Sequence, residues 1–495
     1  MDSISANRAA SRAPHLTLRS KQGRWVLLAT IVASGVAQLD ATVVNVALPR
    51  IGADLHVGLT SLQWTVNAYT LTLSGLLLLG GSLGDRLGRR RMFVVGVVWF
   101  TAASIGCAIA PDAGVLIAMR AVQGVGSALL TPGSLAILQA VFRPSDRAPA
   151  VGAWSGLSGI ASALGPVVGG VLVGAAAWGW RLVFLLNVPL AALVIVASRH
   201  IPETRDDNAT GKLDVAGAVA AASGLAAFVY GLTEGSGHGW HIGALAATVA
   251  GAVVLVGFFV LEVRRARNRP PMLPPRLFRS RQFSAANAVT VVVYGAVGAM
   301  LFLLPVELQQ GAGFSPVAAG ASVLPVTIML MLLSTRTGRL AAKHGPRWLM
   351  TIGPVVAGLG LMLLVRVQPD SNYVADVLPG IVVFGLGMAT TVAPLTATVM
   401  AAVPPNDVGV GSAVNNDVAR TAGLLAVAVF PALAGISSQA YHNADALTHG
   451  FHHAVLIAGA LCIVGGIISA FFISDDIGSD DEKPVPRTAE PVTGG

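Results

Sequence analysis

The sequence predicts an all-α membrane protein of fourteen transmembrane helices, two six-helix bundles with two helices inserted between them. Three observations lead there. Of 495 residues 54% are hydrophobic and only 11% charged, against about 25% charged in a soluble domain. That is too few ionic groups to cover a water-soluble surface of this size. Apolar stretches of about 20 residues, the length that crosses a bilayer as a helix, recur fourteen times. A glycine- and arginine-rich corner in the first part of the chain returns, degraded, in the second.

The first six stretches are Trp25–Leu48, Ser61–Leu83, Met92–Ala110, Gly114–Leu138, Val151–Gly174 and Leu182–Ser198. Leu213–Leu232 and Ile242–Leu261 follow. The last six are Phe283–Leu304, Val317–Ser334, Trp348–Val367, Val374–Ala397, Val408–Ile436 and Ala454–Ile473. At 24 residues the first is too long for a signal-peptide core and reads as an uncleaved span. Ahead of it residues 1–24 form a polar, basic tail, and residues 474–495 form an acidic, proline-bearing tail that reads as disordered. Two cysteines, Cys107 and Cys462, sit inside apolar stretches, which argues against disulfides and a thiolate metal site.

Short cytoplasmic loops collect Lys and Arg. With both termini inside, the inner segments hold 27 of the 32 basic residues. The outer loops hold Arg50, Arg181 and Arg366, and Arg120 and Arg420 fall within spans. A miscounted helix would invert this alternation, and none of it is inverted. The net charge of +8 is therefore topological and not a nucleic-acid footprint.

The corner GSLGDRLGRRR runs from Gly81 to Arg91, and its echo GRLAAKHGPR runs from Gly338 to Arg347, 257 residues later. The first joins spans two and three and the second joins spans ten and eleven, so span nine is the counterpart of span one. The organisation that follows is a bundle over residues 25–200, an inserted pair with a basic loop over 201–281, and a second bundle over 282–473. Such repeats are typical of secondary transporters, whose substrate site lies between the halves.

Each chemistry-bearing pattern has a reading of its own. At the corner, Gly81 and Gly88 permit a tight turn. Asp85 can accept bonds from Arg86, Arg89 or a neighbouring helix N-terminus, a charged latch; the alternative is a solvated topogenic cluster with Arg90. Arg120 heads RAVQGVG on span four. An arginine there either faces a cavity or an acid, or snorkels to the nearby outer surface. Asp40 in LDATVVNVALP lies about 24 Å along its helix from Arg24. Burial disfavours an ionised carboxylate and a nearby cation restores it. Asp40 is thus either a group that loads and loses a proton or senses a cation, or a packing acid bonded to Thr42 or Asn45. Span five carries Gly165, Pro166, Gly169 and Gly170, a small-residue face with a helix-bending proline. On span thirteen Asn416, Asp417 and Arg420 share a face, with Asp417–Arg420 either an internal pair or part of the pathway. Glu307 and Glu234 lie near outer span ends and read as interfacial, and so do Trp180, Arg181, Phe184, Asn187 and Pro189. His442, His449, His452 and His453 read as a solvated outer loop, with no metal site expected.

In their order and positions these motifs resemble the fourteen-span drug:proton antiporters of the major facilitator superfamily, the EmrB/QacA-type branch, over essentially the whole chain between the tails. The resemblance implies the major facilitator fold and proton-coupled export of hydrophobic, often cationic compounds across the cytoplasmic membrane by alternating access. It makes Asp40, Arg120 and Arg420 coupling residues, and Asp417 joins them by its place on the Arg420 face rather than by the resemblance. Gly81, Asp85, Arg86, Gly88, Arg89 and Arg90 become the conformational gate, and Gly165, Pro166, Gly169 and Gly170 the antiporter motif. No cofactor is expected beyond the proton gradient. The expected partners are small molecules, protons and the bilayer. A monomer is expected, an adaptor protein is left open, and antibiotic resistance is the implied phenotype. An exporter of an endogenous lipid, siderophore or antibiotic stays open as cargo. A multispanning transferase lacks a nucleophile in the histidine cluster, an ATP-driven pump lacks a phosphate loop, and a channel lacks a filter.

Overall fold

The computed structural model describes residues 16–205, 214–265, 274–404, 407–437, 441 and 443–475. Within them fourteen helices are long and apolar enough to cross a membrane. The first six are α1 (Lys21–Leu55), α2 (Leu59–Leu87), α3 (Arg89–Ala108), α4 (Ala113–Val141), α5 (Pro144–Ala175) and α6 (Gly179–Ser198). The inserted pair is α7 (Val215–Gly237) and α8 (Ile242–Arg265). The last six are α9 (Arg281–Gly311), α10 (Pro316–His344), α11 (Arg347–Arg366), α12 (Tyr373–Ala401), α13 (Val408–Leu433) and α14 (Ala444–Phe472).

Most of these helices outrun the apolar stretches because polar residues cap or extend them. Ser20 caps α1, its Oγ accepting the Gly23 N–H at 3.0 Å. Asn443 caps α14 ten residues before its apolar window. His449, His452 and His453 therefore lie in the opening turns of α14 and not in a loop; His442 lies outside the described residues. The basic tail is folded where it meets α1: Leu16 donates to the Val141 carbonyl and accepts from Arg143 N–H. The rest of that tail (1–15), the acidic tail beyond Asp475 (476–495) and parts of the inserted segment (206–213 and 266–273) lie outside the described residues.

The repeat is visible in the packing. In the first half α1 packs on α5 and α6, α2 on α4, and α3 on α4 and α6. The counterparts recur in order: α9 on α13 and α14, α10 on α12, and α11 on α12 and α14. The two corners match as well. Gly88 and Gly345 both take the left-handed backbone region, with φ +107° and +84°, where glycine alone is unstrained. Each is followed by a helix whose first N–H groups are capped by an acid from just beyond the last span of the same half. Glu203 accepts from Arg90 N–H and Arg91 N–H at 3.0 and 3.1 Å, and Asp475 accepts from Arg347 N–H at 3.0 Å. Asp475 is thus a structural cap and not part of a free tail.

The inserted hairpin packs through α7, which lies on both α2 and α13, while α8 packs chiefly on α7. The Tyr230 ring lies tilted against that of Trp64 of α2, 6.0 Å between centroids, and Leu225 and Val229 share a small core with Leu424 and Ala428 of α13. The hairpin covers one seam between the halves.

Along α5 the halves touch toward one end among the described residues. On α5 the positions 152, 156, 159, 166 and 170 form one stripe at helical spacing. At its far end Pro166 and Gly170 lie against Gly320, Pro316 and Val317 of α10. At the end carrying the basic corners, a Cβ added at Gly152, Gly156 or Gly159 would meet nothing within 4 Å. Two more bonds close the far end: Gln63 Nε2 donates to the Val427 carbonyl at 2.6 Å, and Gln309 Nε2 donates to the Val46 carbonyl at 3.0 Å. The α5 seam is thus open toward the basic end and closed at the opposite end.

Candidate functional site: an intramembrane ion pair and the seam acids

Arg120 and Gln123, three apart on α4, face α1 together. Gly124 and Gly126 on the same helix let α2 and α3 come close, with Gly126 against the Phe100 backbone. On the face of α4 turned to α1, Arg120 stands beside Asp40. Arg120 Nη1 donates to Asp40 Oδ2 at 2.5 Å, and the two residues are 1% and 0% exposed. Gln123 Nε2 and Asn187 Nδ2 each donate to Asp40 Oδ1 at 2.9 Å. Arg120 also donates to the Thr65 carbonyl and to Gln123 Oε1, at 3.0 and 2.6 Å. Ser104 accepts from both amides, and the Tyr69 ring lies 4.3 Å from the guanidinium carbon. A buried pair survives only when its remaining donors and acceptors are satisfied in this way.

Of the alternatives the sequence left open, the structure selects the acid partner for Arg120, which does not snorkel. Asp40 does not bond Thr42 or Asn45; the Thr42 hydroxyl instead reaches the Ser162 carbonyl of α5 at 3.0 Å. Asn187 is fully buried in the cage and not interfacial. Trp180 and Phe184 are fully buried as well; toward the opposite end Trp180 bonds Asp54, and Arg181 bonds the Ala108 and Ala110 carbonyls. Gln123 stands out in the sequence only as part of RAVQGVG, and Ser104 and Tyr69 do not stand out at all. Only the Arg120–Gln123 spacing could have flagged the glutamine, because Ser104 and Tyr69 reach the site by tertiary packing.

At the corner Asp85 pairs with Arg89, one turn on, at 2.8 Å. No bond joins Asp85 to Arg86 among the described residues. Gly81 lies against Pro132, and Arg90 enters through its backbone N–H on Glu203. On α5, Gly165 and Gly169 pack on α1 at Thr42 and Val43, and Pro166 and Gly170 pack on α10. The motif therefore divides between a face within the half and a face across the seam.

On α13 Asp417 and Arg420 form no ion pair among the described residues. Asp417 faces Ser74 of α2, and its Oδ1 is buried without a hydrogen-bond partner, as is Ser74 Oγ. Asn416 bonds its own helix at the Ser412 carbonyl. Glu307 is fully buried and not interfacial; Glu234 is half-buried. Among the described residues no group of three His, Cys, Asp or Glu is placed to hold a metal ion.

Comparison with known proteins decides the family. The model of the Major Facilitator Superfamily matches residues 30–428. The chain belongs to the Major Facilitator Superfamily. Relatives within it include a probable actinorhodin transporter of Streptomyces coelicolor, 36% identical over 85% of this chain and 75% of the relative. The puromycin resistance protein pur8 of Streptomyces alboniger is 33% identical over 92% of this chain and 93% of the relative. Among solved structures, a bacterial homolog of the human lysosomal transporter Spinster, crystallised inward-facing and unoccupied, aligns with TM-score 0.66 at 17% identity, over 92% of this chain and 99% of that chain. A D-xylose–proton symporter aligns at 0.64 and 14%, over 91% and 98%. These two structures share the fold. The chain is a multi-pass membrane transporter of this superfamily.

Proposed function

We propose that this superfamily member exports hydrophobic, often cationic drugs in exchange for protons, working in the cytoplasmic membrane with both termini inside. The observation that carries the coupling is the Asp40–Arg120 pair, a carboxylate kept deep in the transmembrane region solely by a cation and two amides. Protonation of Asp40 removes the charge that Arg120 answers and frees the guanidinium to rearrange. One proton is thereby linked to the packing of α1, α4 and α6. Asp417, half-buried at the α2–α13 seam with a buried, unpartnered oxygen, is the second acid of the pathway, and Arg420 tunes it. The one-sided contact along α5 supports alternating access: the basic end, cytoplasmic by the distribution of Lys and Arg, is the open one.

The cargo reading rests on the relatives, which are named for actinorhodin transport and puromycin resistance. Cells carrying the wild-type chain should retain less of a fluorescent cationic dye than cells lacking it, and an uncoupler should abolish the difference. Dye retention equal in both, or export indifferent to the uncoupler, overturns the reading.

A further inference from the structure

From Glu307 we infer a proton-binding site that controls closure of the end opposite the basic corners, a site separate from Asp40. The inference rests on the alternating-access reading above. Glu307 opens a π turn, Glu307–Gly311, at the end of α9. Its carboxyl folds back over Gly311, where a Cβ would stand 2.7 Å from Oε2, so the glycine leaves a cradle that the carboxyl fills. The residue is fully buried. Thr448 of α14 donates to Oε1 at 2.6 Å, and Oε2 has no hydrogen-bond partner.

No cation answers this carboxyl among the described residues. From α14, Asp445 and His449 are exposed, with His449 Nδ1 on the Asp445 carbonyl, and His452 Nε2 is spent on the Val367 carbonyl at 2.6 Å. His453, one residue further, forms no ion pair with it. From α1, Arg50 bonds the Ala177 carbonyl, and Asp54 is held by Trp180 and Arg181. Arg366 and Asp376, at the turn between α11 and α12, face each other. Tyr441 lies against Gly52 of α1, and Tyr373 donates to the Ser322 carbonyl. The opening turns of α10 carry no titratable group. An ionised carboxylate without a countercharge is strongly disfavoured in such a place, so the closed end takes Glu307 with its proton on.

The same turn is part of the seam. Gln309, two residues on, donates across to the Val46 carbonyl of α1. Opening this end must break that bond and admit water to the turn, where the carboxyl can ionise. Closing therefore takes up one proton and opening releases it. The ratio of closed to open then rises by up to about tenfold for each unit the pH falls, the limit for one linked proton.

The test uses the full-length protein in lipid nanodiscs, spin-labelled in pairs at introduced cysteines; native Cys107 and Cys462 are buried. One pair, at Ala53 and Val374, reports the closed end, and a second, at Arg147 and Lys343, reports the basic end. In wild type the closed-end distance should shorten in population as the pH falls from mildly alkaline to mildly acid. Glu307→Gln should hold the short distance at every pH, and Glu307→Asp should keep the pH response. Thr448→Val should weaken the response without touching the acid. A pH response unchanged in Glu307→Gln overturns the proposal while both label pairs still show alternating access. Distances fixed at both ends under every condition refute alternating access, and this proposal with it.

Discussion

Replacing Asp40 with Asn removes the one negative charge that faces Arg120 among the described residues and turns an amide N–H₂ toward donors that thereby lose an acceptor. Arg120 would remain 1% exposed, held by the Thr65 carbonyl, Gln123 and the Tyr69 and Phe184 rings. Breaking a buried pair from one side costs about 3–5 kcal/mol, so Asp40→Asn and Arg120→Gln should each destabilise by that much. In the double variant neither charge is left stranded, and two amides can bond each other. The double should then cost about 2–3 kcal/mol less than the sum of the singles, within the range for residues in direct contact. Denaturant unfolding in detergent, followed by tryptophan fluorescence, measures all four corners of the cycle. Single costs below about 1 kcal/mol, or a double equal to the sum, would refute the pair as the organising contact of the first half.

Further outcomes follow from the seam, the corner and the inserted hairpin. A Cβ at Gly170 would stand 2.5 Å from the Pro316 carbonyl and 2.8 Å from Val317 Cα. Gly170→Val should therefore separate the closed end and raise the labelling rate of a cysteine placed at Val317 severalfold; an unchanged rate contradicts the contact. Gly88→Ala puts a side chain in the left-handed region and 2.7 Å from the Glu203 carboxyl, and should cost about 1–3 kcal/mol. Glu203→Gln should cost less, because the amide oxygen can still cap one N–H; thermal melts in detergent rank the two. At the start of α7, burial pushes the Asp214 carboxyl up. The bonds from Gly217 N–H and Arg265 outweigh burial and hold it below the ordinary carboxylate range. A lowered value adds stability that is present above about pH 4 and is lost as the pH falls further. Asp214→Asn should accordingly flatten the acid side of the stability profile, and a profile identical to wild type would contradict the bond.

The fold was legible because a membrane helix announces itself by length and apolarity, and because short basic loops fix the alternation. Helix ends were less legible. His344 ends α10 ten residues past the apolar stretch, and α14 begins ten residues ahead of it, since caps and exposed polar turns carry no hydropathy signal. At the site, Asp40 and Arg120 stood out as charges in apolar runs, but their being partners is a tertiary fact: 80 positions separate them. Asn187 looked like an interfacial residue because it follows Trp180 and Arg181 near a span end; nearly two turns of helix α6 carry it to the cage instead. Glu307 was misread for a similar reason. Nearness to a span end suggests water, yet α14 and the turn itself bury it. Glu203 and Asp475 show that an acid just past a bundle can belong to that bundle, a role no local pattern states. Where the inserted pair would pack was also beyond the sequence, since α7 binds both halves through ordinary apolar contacts.

Simultaneous recording of proton and drug movement in liposomes containing the purified chain addresses the central claim most directly. An imposed inward proton gradient should drive a cationic dye the opposite way, with proton entry rising when the dye is added, and Asp40→Asn should lose this linkage while still binding dye. Dye movement without accompanying protons, or Asp40→Asn coupling as well as wild type, would contradict the account.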